Sequence, residues 1–286
     1  MSTDVTPRDL VFDYFGRKIA AQEWGRQGDK PVLAMHGWLD NSASFAPLAP
    51  HLKNIHLVAL DSAGHGLSDY RELGGPYNIW QDVNELFSVA DQLGWQEFTL
   101  LGHSRGAMIS VIAAGTFPER IQQLAMIDGF RPGTVEPDQA PQQLAKSIIE
   151  TNRINRRGIA YYSTREAAIT VRQRAEIPVS SAMAELLATR GVREEAEGFI
   201  WHSDQQLKIS SAFKLSDAHA DAFIQRITAP TLLIIAEDGL PRIREYNQKM
   251  AARYPFVEVQ MLPGSHHLHM EDNVEGVANV LNNFFR

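Results

Sequence analysis

Residues 102–106 read Gly-His-Ser-Arg-Gly, between the apolar run "EFTLLGHS" and a second apolar pattern with a different period. A serine where a strand turns directly into a helix sits in a tight, strained turn. Its neighbours must lack bulk, a need that Gly102 and Gly106 meet. The turn lifts the Ser104 hydroxyl above the strand's C-terminal end, and the following helix aims its unpaired N–H groups at the same place. That arrangement suits a nucleophile with negative charge developing beside it. The hydroxyl needs a base within hydrogen-bond reach, and the base needs an orienting acid. Histidines able to act as base come late, in "LPGSHHLHMEDN", as His266, His267 and His269. Acids at strand ends are Asp128, closing "LAMID", and Asp238, in "TLLIIAEDGLP". A three-histidine cluster could also be a metal site, but no matching carboxylate pattern accompanies it.

The elements that must hold these groups are legible as apolar runs. "PVLAMHG", "IHLVALD", "EFTLLGHS", "LAMID", "TLLIIAE" and "VEVQML" read as short strands, and amphipathic stretches such as "IWQDVNELFSVADQLG" lie between them. Continuous apolar strands alternating with helices predict a parallel sheet buried on both faces, hence an α/β fold. "LVFDYFGRKIAAQEWG" alternates about Gly16 and predicts an opening hairpin. Gly94 stops the helix before it, and the last helix aligns Val277, Leu281 and Phe284 on one stripe. From about Phe130 to Thr228 no strand is convincing. That block reads as helices, with Ser163 and Glu166 as a capping box and Gly191 as a stop. A helical block inside a βα series predicts a lid beside the sheet.

Two further stretches join the serine motif. "MHGW" follows the strand "PVLA", and "LDSAGHGLSD" follows the next strand. With "GHSRG", they resemble the α/β-hydrolase fold over nearly the whole chain, in the serine hydrolase-like branch with a helical lid. The resemblance implies a mostly parallel central sheet flanked by helices, with residues 1–129 and 229–286 as core and 130–228 as an inserted helical cap. It implies Ser104 as nucleophile and His266 as base, with His267 as the rival. The acid is Asp128, as "MIDGFRP" suggests, with Asp238 as the alternative; the more usual acid position of this fold falls on Gly239. The N–H groups of Trp38 and Arg105 would face the oxyanion. Trp38, Phe130, Trp201 and His202 are candidates for substrate contact, while His65 is structural and His269 is packing or part of the pocket rim. Arg105 either pairs with an acid or binds an anionic substrate.

The implied activity is hydrolysis of a small-molecule carboxylic ester through an acyl-enzyme, with no cofactor or metal required. Carbon–carbon bond hydrolysis, perhydrolysis, or ligand binding with weak turnover are the alternatives on the same residues. A serine at the nucleophile position disfavours the reactions that relatives perform with an aspartate there. Composition narrows the partners. A net charge of -7 argues against nucleic acid or an anionic membrane. The chain has no cysteine, so thiolate metal sites and disulfides are excluded. The polar, acidic first residues do not resemble a signal peptide, and no apolar run is long enough to span a membrane. A cytoplasmic protein is the expectation.

Overall fold

The computed structural model describes residues 6–72 and 75–286. The opening hairpin is β1 (Arg8–Tyr14) and β2 (Arg17–Gly25), paired antiparallel. The apolar runs become β3 (Lys30–Met35), β4 (Ile55–Leu60), β5 (Phe98–His103) and β6 (Ile121–Ile127), with α1 (Ile79–Gln92) before β5 and α2 (Arg105–Thr116) after it. After a long insert come β9 (Thr231–Ala236), α7 (Pro241–Ala251), β10 (Val257–Leu262) and α8 (Val274–Phe284). The eight strands form one sheet in the order β1-β2-β4-β3-β5-β6-β9-β10. Pairs β1·β2 and β2·β4 are antiparallel; the rest are parallel.

Burial follows from the run type. Every residue of β4, β5 and β9 is buried, because helices cover both faces of the sheet. One apolar cluster lies under α1 and α2, with Leu86, Ile109 and Ile112 against Leu33, Leu100 and Leu124. The other lies under α8, where Val277 and Leu281 meet Val32, Leu101 and Ile234. Strand β5 is central, so the loop after it is anchored on both sides. A Cβ on Gly102 would come within 2.5 Å of Ala107 Cα, and one on Gly106 within 2.0 Å of the Met35 carbonyl oxygen. Both glycines are needed for α2 to lie that close to β3 and β5.

Between β6 and β9 the insert contains α3 (Ala140–Arg157), α4 (Arg165–Gln173), α5 (Ser181–Gly191) and α6 (Asp217–Gln225). It also contains a hairpin that the sequence reading missed, β7 (Val192–Glu195) with β8 (Gly198–Trp201). Two four-residue strands, the first mostly charged, give no clear alternation, so pairing alone defines them. The capping residue of α4 is Thr164, whose hydroxyl accepts from the Ala167 N–H, rather than Ser163 one residue earlier. The insert is tied to the loop after β3 and to the end of β4 by polar bonds. Arg172 pairs with Asp40 at 2.8 Å, Arg190 pairs with Asp61 at 2.8 Å, and Asn41 donates to the Leu187 carbonyl at 2.9 Å. Among the described residues, no helix is long and apolar enough to cross a membrane.

Candidate active site

Ser104 stands between β5 and α2 with φ 52° and ψ −114°, a region that non-glycine residues rarely occupy. Its own N–H donates to the Ile127 carbonyl, which fastens the turn to β6. Asp128, the residue after β6, also has positive φ, 44°. Its N–H donates to the Ile234 carbonyl, and its Oδ1 accepts from the Ala236 N–H at 3.1 Å. The other oxygen, Oδ2, lies 2.6 Å from His266 Nδ1, and His266 Nε2 lies 3.0 Å from Ser104 Oγ. Serine, imidazole and carboxylate therefore form one hydrogen-bonded chain across three loops, with His266 and Asp128 buried. Asp238 stands elsewhere. Its Oδ2 accepts from the Gly264 N–H at 3.0 Å, and its own N–H donates to the Gly264 carbonyl. It tethers the loop that carries His266.

A cavity of about 200 Å³ opens on this chain, and Trp38, Leu39, Asp40, Ser104, Arg172 and His266 are among its walls. A second cavity of about 120 Å³ shares Leu39, Arg172 and Ala175 with it and ends on Tyr162 and Trp201. Trp38 lines the first cavity, and its indole N–H donates to the Leu207 carbonyl. Trp201 lines the second cavity, not the first. Phe130 is a correction: it is fully buried in the core, edge-on to Tyr254, and touches neither cavity. His202 stacks on Tyr70, away from Ser104.

Arg105 opens α2, so its N–H is one of those a helix leaves without an intrahelical acceptor. Its side chain turns the other way, to Asp82 on α1 at 2.7 Å, and Asp82 also meets Arg71 at 3.3 Å. Of the two roles considered for this arginine, the ion pair is the one present. Arg105→Met leaves the buried Asp82 with Arg71 alone. Loss of a buried partner typically costs several kcal/mol, and the surviving pair limits the expected loss to about 2 kcal/mol. Denaturant melts check that figure. KM values for acidic and neutral esters should change by one common factor; a selective loss for acidic esters would restore the substrate-binding role.

Three polar groups around the serine were not singled out from the sequence as a unit: Asp40, His103 and Arg172. They lie far apart along the chain and only tertiary packing joins them. Burial alone would raise the Asp40 carboxyl, but Arg172 and His267 outweigh it and hold it at about 2. Burial pushes His267 down to about 4 and His269 to about 3, and holds His103 well below the usual imidazole range.

His36 and His65 support the loop that carries Trp38. His36 Nε2 accepts from the Ser62 N–H at 3.0 Å while Nδ1 faces the Gly37 carbonyl. His65 Nε2 accepts from the Leu39 N–H at 3.3 Å. Each ring is neutral in the fold, and burial lowers both below the ordinary 6.5. In the unfolded chain they take up protons below about pH 6.5; in the fold they do not until lower pH. The unfolded state then binds more protons, so stability is full above pH 6.5 and falls as the pH drops toward the folded values. Each ring contributes a slope approaching about 1.4 kcal/mol per pH unit. Urea midpoints from pH 8 to pH 5 should show this decline, and it should be shallower in His65→Gln.

These features define a class before they define a chemistry. Residues 30–273 match the alpha/beta hydrolase fold family, and the chain belongs to it. Within that family it lies in the serine hydrolase-like branch and is a hydrolase. It is 31% identical to the serine hydrolase-like protein 2 of Homo sapiens, over 94% of this chain and 90% of that protein. It is 29% identical to the serine hydrolase-like protein of Danio rerio, over 94% of this chain and 85% of that protein. The crystal structure of a hypothetical protein from Pseudomonas aeruginosa PAO1 matches with a TM-score of 0.91 at 39% identity, over 97% of this chain and 99% of that one.

Proposed function

We propose that the enzyme hydrolyses a small-molecule carboxylic ester through an acyl-enzyme on Ser104. The observation that carries this reading is the unbroken chain from Ser104 Oγ through His266 to Asp128, at 3.0 and 2.6 Å. His266 Nε2 removes the hydroxyl proton as Oγ attacks the carbonyl carbon. Asp128 holds the Nδ1–H tautomer and stabilises the imidazolium. The backbone N–H groups of Trp38 and Arg105 receive the oxyanion, each donor being worth about 3 kcal/mol in related chemistry. His266 returns its proton to the leaving alkoxide. Water, deprotonated by the same nitrogen, then releases the acid and restores Ser104.

Residues 130–228 act as the cap over this site, with Arg172 of α4 latched to Asp40 at its rim. The two adjoining cavities suit a compact substrate: one part beside Trp38, the other running under α4 toward Trp201. Nitrophenyl esters of graded acyl length test the reading. Release should peak at short acyl chains and fall with length, and a fluorophosphonate should label Ser104. An enzyme that neither releases nitrophenol above the blank nor takes the label is not a serine esterase.

A further inference from the structure

Three imidazoles converge beside the proposed nucleophile, and one carboxylate faces two of them. One ring nitrogen from each of His103, His266 and His267 lies within 4.8 Å of the others, and all three side chains are buried. His103 Nε2 lies 2.9 Å from the His266 carbonyl, an acceptor, so that nitrogen carries the proton and Nδ1 is left with a lone pair. That Nδ1 has no partner and faces Asp40 Oδ2 at 4.0 Å. His267 Nε2 faces the same oxygen at 3.8 Å. Asp40 Oδ1 is engaged by Arg172, which leaves Oδ2 for the imidazoles. Gly37 keeps the space open: a Cβ there would lie 2.8 Å from His103 Nδ1 and 2.9 Å from Asp40 Oδ2.

We infer that His103, His266, His267 and Asp40 form an inhibitory site for a borderline divalent cation such as Zn²⁺. Imidazole donors select such ions over Mg²⁺ or Ca²⁺. Zinc takes nitrogen and carboxylate oxygen at about 2.0–2.2 Å, so tetrahedral ligands stand about 3.3–3.6 Å apart. Asp40 Oδ2 stands a few tenths of an ångström beyond that spacing from His103 Nδ1 and His267 Nε2, and the histidine nitrogens, within 4.8 Å of one another, must close in further. His266 completes the set, and both of its nitrogens are already in use, one on Asp128 and one on Ser104. A cation on either nitrogen therefore withdraws the base from the serine. The inhibitory half of this inference rests on the ester-hydrolase reading above; the binding half does not.

Calorimetric titration of the Ser104→Ala protein with ZnCl₂ tests binding without any turnover. One site per chain in the micromolar range or tighter is expected, with affinity at least tenfold weaker in Ser104→Ala carrying either His103→Asn or His267→Gln. Melting with and without Zn²⁺ gives a second readout, in which each histidine variant loses the zinc-dependent rise in Tm. In the wild-type enzyme the same zinc concentrations should suppress ester release, and EDTA should restore it. No binding at micromolar zinc, or binding unchanged in both histidine variants, overturns the site and leaves a water or the exposed histidines as the explanation. Intact binding with undiminished turnover overturns the inhibitory role. Absence of Ser104-dependent turnover would count against the hydrolase reading alone, since calorimetry still decides the site.

Discussion

Ser104→Ala is expected to lower kcat for nitrophenyl esters by about 10⁴- to 10⁶-fold while the protein stays folded. Nucleophile and base act as one unit, so loss of the nucleophile alone removes nearly all that the constellation contributes. What survives is stabilisation by the backbone N–H groups and substrate binding. Alanine inherits the positive φ of position 104 without relieving it, because its Cβ meets the same backbone clashes. The turn is fixed from outside, by the bond to Ile127 and the close approach of Gly106 to Met35. Tm should therefore move by only a few degrees, and KM should change far less than kcat. Circular dichroism melts beside steady-state kinetics check both halves. A variant that keeps more than about a hundredth of wild-type kcat is incompatible with Ser104 as nucleophile, given the magnitudes above.

The parts of the fold that were legible are those with a local signal. Strands β3 to β6 and β9 were each a short, mostly apolar run ending at a turn, and buried parallel strands have no other pattern to show; β10 is a largely exposed strand at the sheet edge. The opening hairpin was legible through alternation about Gly16, which adopts φ 82° at the turn. Strands β7 and β8 were not, because a run such as Val192–Glu195 is mostly charged and half exposed. Ser104 was marked by its two glycines, and His266 and Asp128 by their places after strands. The same logic failed for Phe130, since position beside a motif does not say which way a ring turns. Asp40, His103 and Arg172 had no local mark at all. Asp40 and Arg172 are 132 positions apart and meet only because the insert folds back on the loop after β3.

Asp128→Asn is expected to reduce kcat by about 10⁴-fold, the effect of the wrong imidazole tautomer, while Asp238→Asn stays within about threefold of wild type. The geometry dictates which way an asparagine at 128 must face. Oδ1 of Asp128 accepts from the Ala236 N–H, and Oδ2 faces His266. An amide has one oxygen for these two places. The buried Ala236 N–H can only donate, so the oxygen stays there and the NH₂ turns to His266 Nδ1. That nitrogen must then accept, its proton moves to Nε2, and the ring can no longer take one from Ser104. Asp238 meets no such conflict: its Oδ2 accepts from the Gly264 N–H, and an amide oxygen does the same. The place where related folds carry the acid is held here by Gly239, and space explains it. A Cβ at Gly239 would lie 3.2 Å from Asp128 Oδ2, so a side chain there would crowd the carboxylate now facing His266. The two possible acid positions converge on the same spot, and the Asp128 carboxylate reaches it from the end of β6. Turnover that survives Asp128→Asn but collapses in Asp238→Asn would move the acid to the other loop.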